Sequence, residues 1–317
     1  MLLARIAESL YWAGRYLERA EDTARMITVH TDLLRDLPLA AGVGWTPLLA
    51  VTGCSEEFLD RHTCPEEDDV VGFLATDPKN RGSILSSLAH ARANLRASRV
   101  VLPNSSWEVA NHLHGWAAGS ANDARDRGTR PGWMQVVIFG CQLLGGSLAG
   151  TMCHDEAYGF LQLGRHIERA DMTIRVLGVQ AGVLVGQPPA GVAADYRDVT
   201  WASVLRSLCA HQTFSRTEGG GISGPAALRF LLQDQRFPRS VRFCVASAGR
   251  KASQLPTPEP VVAQCTAAQD RLDGLVITEL TTPNELNDLA DKVELDIGEI
   301  HEALASTYFT PVLEETA

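Results

Sequence analysis

The sequence has no stretch with the period-two alternation and β-branched enrichment of a β-strand. It also has no G-x-S-x-G nucleophile elbow and no Glu-x-x-His pair of a di-iron helical bundle. The glycine run 219–221 is not followed by the Lys and Ser or Thr of a phosphate loop. These absences exclude a sheet-based fold and three common catalytic or nucleotide-binding signatures, and they favour an all-α protein.

Positive charge is scarce relative to negative charge. Lys and Arg number 28 against 38 Asp and Glu, which gives a formal net charge of -10. A nucleic-acid surface needs clustered Lys and Arg without neighbouring carboxylates, whereas most arginines here stand beside an acidic residue. We therefore expect no nucleic-acid partner.

The seven cysteines are odd in number, widely spaced and without any C-x-x-C pair. This pattern indicates neither a disulfide framework nor a structural zinc site. Arg5 and Glu8 interrupt what would be the apolar region of a signal peptide at the N-terminus. Reduced thiols and the lack of such a signal predict a cytoplasmic protein.

One stretch, residues 131–154, is long enough to cross a bilayer.

 It holds no Asp, Glu, Lys or Arg at all, but two glutamines, a serine, a threonine and five glycines dilute its hydrophobicity. Small residues also allow close packing between helices. We therefore expect a buried core helix over residues 133–149 and not a membrane span.

Apolar residues recur every three or four positions from Leu2 to Leu37, which predicts one long amphipathic helix. The same reasoning, with turn residues as boundaries, predicts a series of further helices. They cover residues 45–59, 66–75, 83–99, a segment that begins near 104–106, 133–149, 154–185, 201–216, 259–280 and 284–309. The polar, glycine-bounded segment 119–132 is expected to be a surface loop.

A fourteen-residue segment occurs twice. GRYLERAEDTARMI at Gly14–Ile27 and GRHIERADMTIRVL at Gly164–Leu177 are identical at seven of the fourteen positions. Two later blocks also match. Trp45–Asp60 aligns with Trp201–Arg216 at an offset of 156 residues, and FLATDPKNRGSI aligns with FLLQDQRFPRSV at an offset of 157 residues. Three matches in the same order predict a duplication.

The predicted fold is therefore an all-α, multi-helix bundle built from two helical halves. Residues 1–150 form the first repeat and residues 151–317 the second, packed as one globular unit about a pseudo-two-fold axis. The repeat unit exceeds the period of about 20 to 50 residues that is typical of solenoid proteins.

Both copies of the motif carry the same set of acidic and basic residues, which are the candidate site. They are Arg15, Glu18, Arg19, Glu21, Asp22, Arg25, Arg165, Glu168, Arg169, Asp171 and Arg175. On a helical wheel Glu21 and Arg25 lie near the edge of the apolar face as an i,i+4 pair, and Asp171 and Arg175 repeat that pair.

The same wheel places Arg15, Arg19 and Asp22 on the far side of the first helix. It predicts i,i+3 pairs between Arg15 and Glu18 and between Arg19 and Asp22, and the second copy repeats the first of these with Arg165 and Glu168.

Three interpretations of this set remain open. The charges can lock the register of two partly buried helices, because a carboxylate near a core needs its arginine. They can line a cleft between the halves that binds a zwitterionic or amide-bearing ligand, with arginine taking a carboxylate bidentately. Glu18 with Asp22, or Glu21 with Glu168, can supply oxygen ligands to a metal. The neighbouring arginines disfavour a cation electrostatically, so we expect neither a metal nor a cofactor.

Five segments together resemble one family, the α-E domain proteins, which are bacterial and all-helical. The segments are LARIAESLYWAGRYLERAEDTAR, SSWEVAN at Ser105–Asn111, GFLQLGRHIERADMTIRVL, DQRFPRSVRFC at Asp234–Cys244 and HEALASTYF at His301–Phe309. The chain departs from the pattern in the charged segment 119–132, in the glycine run at Gly219, and at Gly82, where the first copy of the Pro-Arg-Ser turn would have Arg.

The resemblance implies partners more than an activity. Proteins of this family are encoded with, or fused to, circularly permuted ATP-grasp-like proteins and transglutaminase-like proteases, which suggests a system for peptide or amide ligation. No residue set of the family has an established catalytic role, so only the motif positions carry over as candidates.

These observations lead to two functional hypotheses. The preferred one is a binding or scaffold subunit that works with an ATP-grasp-type ligase and holds an amino-acid or peptide substrate in an Arg/Glu-lined cleft. The alternative is a stand-alone enzyme that acts on a small peptide or amide, with Glu21 or Glu168 as general base and the arginines as substrate clamps.

Overall fold

The computed structural model describes residues 2–37, 43–181, 195–279 and 282–310, and within these ranges it contains helices and no strands. The all-α prediction is confirmed. The helices are α1 (Ala4–Asp36), α2 (Thr46–Val51), α3 (Ser55–Leu59), α4 (Glu67–Ala75), α5 (Ile84–Ala97), α6 (Asn104–Gly119), α7 (Ala121–Arg125), α8 (Arg130–Thr151), α9 (Glu156–Val176), α10 (Asp195–Ser207), α11 (His211–Glu218), α12 (Gly224–Gln233), α13 (Val241–Ala252), α14 (Glu259–Asp273) and α15 (Pro283–Leu304).

Helix α1 lies at the centre of the molecule. It packs most extensively against α9, and other sides of it contact α5, α8 and α10. Because neighbours surround it, its polar residues in the middle of the helix are buried together with its apolar ones. A helix in this position has no side that faces solvent along its whole length. Its charged residues must therefore pair with charged residues of the neighbouring helices.

The helices of the second half recur in the order of the first. Helix α9 packs against α13 and α15 as α1 packs against α5 and α8. Ser83 and Ser240 cap α5 and α13 in the same way, each accepting a backbone N–H three residues on, from Ser86 and Phe243. This recurrence agrees with the predicted duplication, which stays a prediction together with its boundaries at 1–150 and 151–317.

Two glycines allow α1 and α9 to approach each other at backbone distance. A Cβ atom added to Gly14 would lie 2.2 Å from the carbonyl oxygen of Leu161, and one added to Gly164 would lie 1.9 Å from that of Tyr11. The two contacts are reciprocal, since Gly14 and Gly164, and Tyr11 and Leu161, are separated by the same 150 residues. Only glycine fits at either position.

The predicted helices 45–59 and 201–216 are each divided in two. The first breaks at Gly53, with φ +69°, and the second at Cys209, with φ +56°. These positions align at the offset of 156 that the sequence blocks predict. The left-handed conformation at each of them ends one helix and lets the next begin at an angle.

The segment 119–132 is ordered by its own helix, so the prediction of a surface loop is wrong. It contains α7, and α8 begins within it at Arg130, whose side chain is buried. Arg130 donates hydrogen bonds to Glu67 Oε1 at 2.6 Å and to the carbonyl oxygens of Ala124 and Arg125. A single buried arginine therefore organises a stretch whose composition indicates a loop.

Helix α8 is a core helix on one face only, which corrects the expectation of a buried helix. Its inner face, including Trp133 and Leu144, is buried, whereas Phe139 and Leu143 on the outer face are 58% and 62% exposed. Among the described residues it is the one helix whose length and apolar composition would allow it to cross a membrane. Of its most apolar stretch of 18 residues, 33% is buried in the structure. The last residues of the predicted helix 154–185, from 182 onwards, lie outside the described residues, which resume at Asp195, where α10 begins.

The crossing of α1 and α9 yields a test of the fold. We expect Gly164→Ala to lower the free energy of unfolding by about 3 kcal/mol, because the added methyl group overlaps the backbone of α1. Gly146→Ala on α8 is the matched control, since nothing lies within 4 Å of its added Cβ atom. It should change stability by about 1 kcal/mol or less, in the stabilising direction. Urea denaturation measures both, and equal effects would contradict the close crossing.

Candidate functional site

Glu168 on α9 is bound by two arginines of α1. Arg15 Nε donates to Glu168 Oε2 at 2.6 Å, and Arg19 donates to both carboxylate oxygens, through Nε to Oε1 at 2.6 Å and through Nη2 to Oε2 at 3.1 Å. The Glu168 carboxylate is 0% exposed. It is therefore a fully desolvated charge held by two guanidinium groups from the opposite helix.

Glu18 on α1 is bound in the reciprocal way by two arginines of α9. Arg169 donates through Nε to Glu18 Oε2 at 2.8 Å and through Nη2 to Oε1 at 2.7 Å, and Arg165 Nη2 donates to Oε1 at 3.0 Å. The Glu18 side chain is 1% exposed. Each helix thus contributes one carboxylate and two arginines to the other, and we call these six residues the Glu–Arg lattice.

The lattice corrects the predicted i,i+3 pairs within each helix. Arg15 pairs with Glu168 and with Asp171, at 2.6 and 3.3 Å, and Arg19 pairs with Glu168. Arg165 pairs with Glu18. The wheel assumed a solvent-facing side for the first helix, whereas α9 covers that side, so the arginines reach carboxylates on the opposite helix.

The predicted i,i+4 pairs are present. Arg25 Nη2 donates to Glu21 Oε1, and Arg25 Nη1 donates to Asp22 Oδ1 at 3.2 Å. In the second copy Arg175 Nε donates to Asp171 Oδ1 at 2.8 Å. All eleven candidate residues therefore form ion pairs on or between α1 and α9, in one network around Glu168 and another that includes Glu18.

Arg239, which precedes α13, completes this region and was not among the predicted site residues. Its Nη1 donates to Asp22 Oδ1 at 2.6 Å, and its Nη2 lies 3.3 Å from both Glu18 Oε2 and Glu21 Oε1. The signal was present in the sequence, because the 157-residue offset pairs Arg239 with Gly82, a position already noted as a departure from the family pattern. Nothing in the sequence showed which helix this arginine contacts.

The arginines keep the two lattice carboxylates ionised. Burial by itself raises the pKa of Glu168, but Arg15 and Arg19 outweigh this effect and hold the pKa below its usual range. Burial likewise opposes ionisation of Glu18, and Arg169, Arg239 and Arg165 hold its pKa well below the ordinary value. Both carboxylates are therefore weak proton acceptors that are closed to solvent.

Asp22 behaves differently from the lattice carboxylates. Burial raises its pKa to about 6, an effect that Arg239 and Arg25 do not fully offset and to which Glu18 and Glu21 add. Its Oδ2 atom is buried without a hydrogen-bond partner in the described part of the chain, so the arginines bind only one of its two oxygens. The incomplete hydrogen bonding agrees with the raised pKa.

A small cavity of about 180 Å³ lies beside the lattice, near Gly82. Arg19, Arg175, Asp171 and Thr23 contribute to its lining. The Thr23 hydroxyl is buried and has no hydrogen-bond partner among the residues described. At the aligned position of the second half stands Arg239, whose side chain reaches Asp22, Glu18 and Glu21.

The geometry does not favour general-base chemistry at the motif. Glu21 is 3% exposed and bound by Arg25, Arg239 and Gln142. The Glu168 side chain is buried and bound by Arg15 and Arg19. A general base needs a carboxylate that is free to take a proton from substrate, which these two arginine-bound groups are not, and the lowered pKa of Glu168 disfavours that residue further.

Metal binding finds no support in the arrangement of the side chains. Across the described ranges no group of three or more His, Cys, Asp or Glu is placed to hold an ion. Both carboxylate oxygens of Glu18 and the Oδ1 atom of Asp22 accept hydrogen bonds from arginines. The donor set is thus already neutralised by guanidinium groups.

The lattice makes a prediction about stability. We expect Glu18→Gln to lower the free energy of unfolding by about 3 to 5 kcal/mol, because three buried arginines lose their counter-charge. Asp32→Asn removes an exposed i,i+3 pair with Arg35 on the same helix, at 3.5 Å, and should cost about 1 kcal/mol or less. Chemical denaturation with both variants measures the difference, and a cost for Glu18→Gln as small as that for Asp32→Asn would show that the lattice does not stabilise the fold.

Comparisons with known proteins agree with this architecture. The profile of the Alpha-E family, described as "a predicted alpha-helical domain with a conserved ER motif", matches residues 2–309, and the dipeptides Glu18-Arg19 and Glu168-Arg169 fit that description. The chain is 22% identical over 330 residues to uncharacterized proteins of Mycobacterium bovis and of two Mycobacterium tuberculosis strains, covering 96% of this chain and 36% of each relative. No solved structure matches significantly. The chain belongs to the Alpha-E family.

Proposed function

We propose that this protein is a binding and scaffold subunit that works with an ATP-grasp-type ligase in peptide or amide bond formation. The observation that carries the proposal is the closure of the Glu–Arg lattice, whose carboxylates are buried and fully occupied by arginines. A motif in this state fixes the relative position of two helices and leaves little capacity for proton transfer. Binding is therefore a better-supported role than catalysis.

The size of the relatives supports a role beside other domains. The chain spans 36% of the length of the mycobacterial proteins that it matches. In those proteins the similar region is joined to a larger amount of other polypeptide, so it works in the presence of further domains. A transglutaminase-like protease is the second partner that we propose, beside the ATP-grasp-type ligase.

The outer face of α8 is the surface that we propose for docking the ligase. Val136, Phe139 and Leu143 follow each other on this face, and all three are exposed. The helix from Pro131 to Thr151 has no charged residue, so nothing on this face opposes burial against an apolar partner surface. Such a face suits the centre of a protein interface, where charged residues are depleted.

The cavity near Gly82 is the site that we propose for an amino-acid or peptide ligand. Its volume of about 180 Å³ equals the space of about six water molecules at roughly 30 Å³ each, which suits a small amino acid or one terminus of a peptide. Arg19 and Arg175 are partly exposed and can bind a carboxylate, and Asp171 can accept from an amine. The unpartnered Thr23 hydroxyl supplies one more polar contact.

The alternative of a stand-alone enzyme requires a different arrangement. A general base would have to reach the ligand cavity with a pKa raised towards neutrality, and Glu168 lines that cavity with a lowered pKa. Nothing in the described residues favours this alternative over binding.

The cytoplasmic location remains part of the proposal, and seven unpaired cysteines support it.

Docking through α8 can be tested by co-purification with the ATP-grasp-type protein encoded in the same genome. We expect the double variant Phe139→Glu and Leu143→Glu to abolish the complex, because two carboxylates would be buried in an apolar interface. Val100→Glu is the control, since Val100 is also an exposed apolar residue but lies outside α8. Retention of the complex by the α8 variant, with an unchanged circular dichroism spectrum, would contradict docking at this face.

Ligand binding near Gly82 can be tested with a substitution that copies the second half. We expect Gly82→Arg to fill the cavity, because Gly82 lines it and the arginine side chain is long, and to eliminate the binding of amino acids or dipeptides that calorimetry detects with the unmodified protein. Gly115→Arg, on the exposed side of α6 with open space around it, is the matched control. Equal affinity of the Gly82→Arg variant and the unmodified protein would contradict this site, as would a lack of binding by the unmodified protein.

A further inference from the structure

We propose that the second half carries a separate binding site for small anions that present phosphate or carboxylate oxygens. The site is a cavity of about 650 Å³ between α11 and the turn that joins α12 to α13. It is distinct from the cavity near Gly82, and it does not depend on the proposed ligase partner. The charges of its lining residues, and their differences from the aligned residues of the first half, support the proposal.

Four arginines line this cavity, against a single carboxylate. The arginines are Arg169, Arg216, Arg236 and Arg239, and the carboxylate is that of Asp234. The protein as a whole has a formal net charge of -10, so a concave surface with this excess of guanidinium groups differs sharply from the rest of the molecule. Such a cleft concentrates anions from solution.

The Asp234 carboxylate is already occupied by the local backbone. Its Oδ1 atom accepts the backbone N–H groups of Arg236 and Phe237, each at 2.7 Å, and so shapes the turn before α13. These bonds are of the kind found in many tight turns. Asp234 therefore provides only part of a counter-charge for the four arginines.

The arginines fall into two pairs with different roles. Arg169 and Arg239 are held in place by the buried carboxylates of Glu18 and Asp22, so they form a rigid wall, and the net positive charge of the cavity comes from the other two arginines. Arg216 and Arg236 are exposed, and neither has an ion-pair partner within 4 Å in the described part of the chain. A guanidinium fork binds a carboxylate or a phosphate bidentately, and these two are free to do so.

The first half does not have this chemistry at the corresponding positions. The sequence offsets align Arg216 with Asp60, and the cavity-lining Thr213 with Glu57. Arg61 of the first half is bound by Glu57 and by Asp77, at 2.7 Å from the latter. Acidic residues thus stand where the second half has an arginine and a hydroxyl, so the aligned positions of the first half are less basic, although Lys79 aligns with Arg236.

Cys209 provides a natural reporter in the wall of the cavity. Its thiol is free and exposed, and it lines the cavity together with the arginines. Two other cysteines, Cys64 and Cys153, are also free and exposed but lie elsewhere. A comparison among the three thiols in one sample separates the effect of the cavity from the general reactivity of the protein.

The experiment measures the alkylation of these thiols by a negatively charged and a neutral reagent. The full chain is treated with iodoacetate or with iodoacetamide, and peptide mass spectrometry gives the rate at each cysteine. We expect the ratio of the iodoacetate rate to the iodoacetamide rate to be about tenfold higher at Cys209 than at Cys64 and Cys153, because the cavity attracts the anionic reagent. An equal ratio at the three cysteines would overturn the proposal.

Variants and competing anions locate the effect and identify the ligand chemistry. Arg216→Ala combined with Arg236→Ala should bring the Cys209 ratio to the level of the other two cysteines. The control Arg96→Ala changes an exposed arginine outside the cavity and should leave the ratio unchanged.

Inorganic phosphate or citrate, at an ionic strength matched with sodium chloride, should protect Cys209 from iodoacetate. Protection by phosphate alone assigns a phosphate site, and protection by citrate alone assigns a carboxylate site. Equal protection by sodium chloride would overturn specific binding and indicate screening only.

Discussion

The burial of two glutamates at the crossing of α1 and α9 is the constraint on which the rest of the structure depends. A carboxylate removed from water costs several kcal/mol unless hydrogen bonds and opposite charge replace its hydration. Glu18 and Glu168 obtain both from arginines of the opposite helix, and the glycine contact brings the backbones close enough for these short bonds. Sliding either helix by one turn would break every one of these pairs, so the lattice fixes the register of the two halves.

The two predicted repeats share the charged motif but differ in sequence at positions that surround it. Gly82 of the first half corresponds to Arg239 of the second, and Gly53 corresponds to Cys209. Gly82 lines the small cavity beside Arg19, whereas Arg239 reaches Asp22 and lines the larger cavity of the second half. The candidate ligand sites therefore arise where the repeats differ, whereas the positions at which they agree hold the fold together.

This division bears on the function of the protein. The conspicuous charged motif is enclosed, and its carboxylates are held ionised by arginines, which suits a rigid support better than a catalytic centre. Accessible polar groups lie at the edge of the motif, in Arg19 and Arg175, and an uncharged face lies outside it on α8. Binding of small ligands and of partner domains can occur at these surfaces without disturbing the lattice.

The sequence by itself determined the all-α class, the long first helix, the matching of the two motif segments and the i,i+4 pairs, because helical periodicity and short-range spacing specify local structure. The tertiary structure decided what depends on neighbours distant in the chain. Arg15 pairs with Glu168 and not with Glu18, since α9 covers the side of α1 that a wheel leaves in solvent. Arg239 joins the site from 217 residues beyond Asp22, and Arg130 turns an apparent loop into a helical segment, because each buried charge takes the partner that the packing of other helices brings to it.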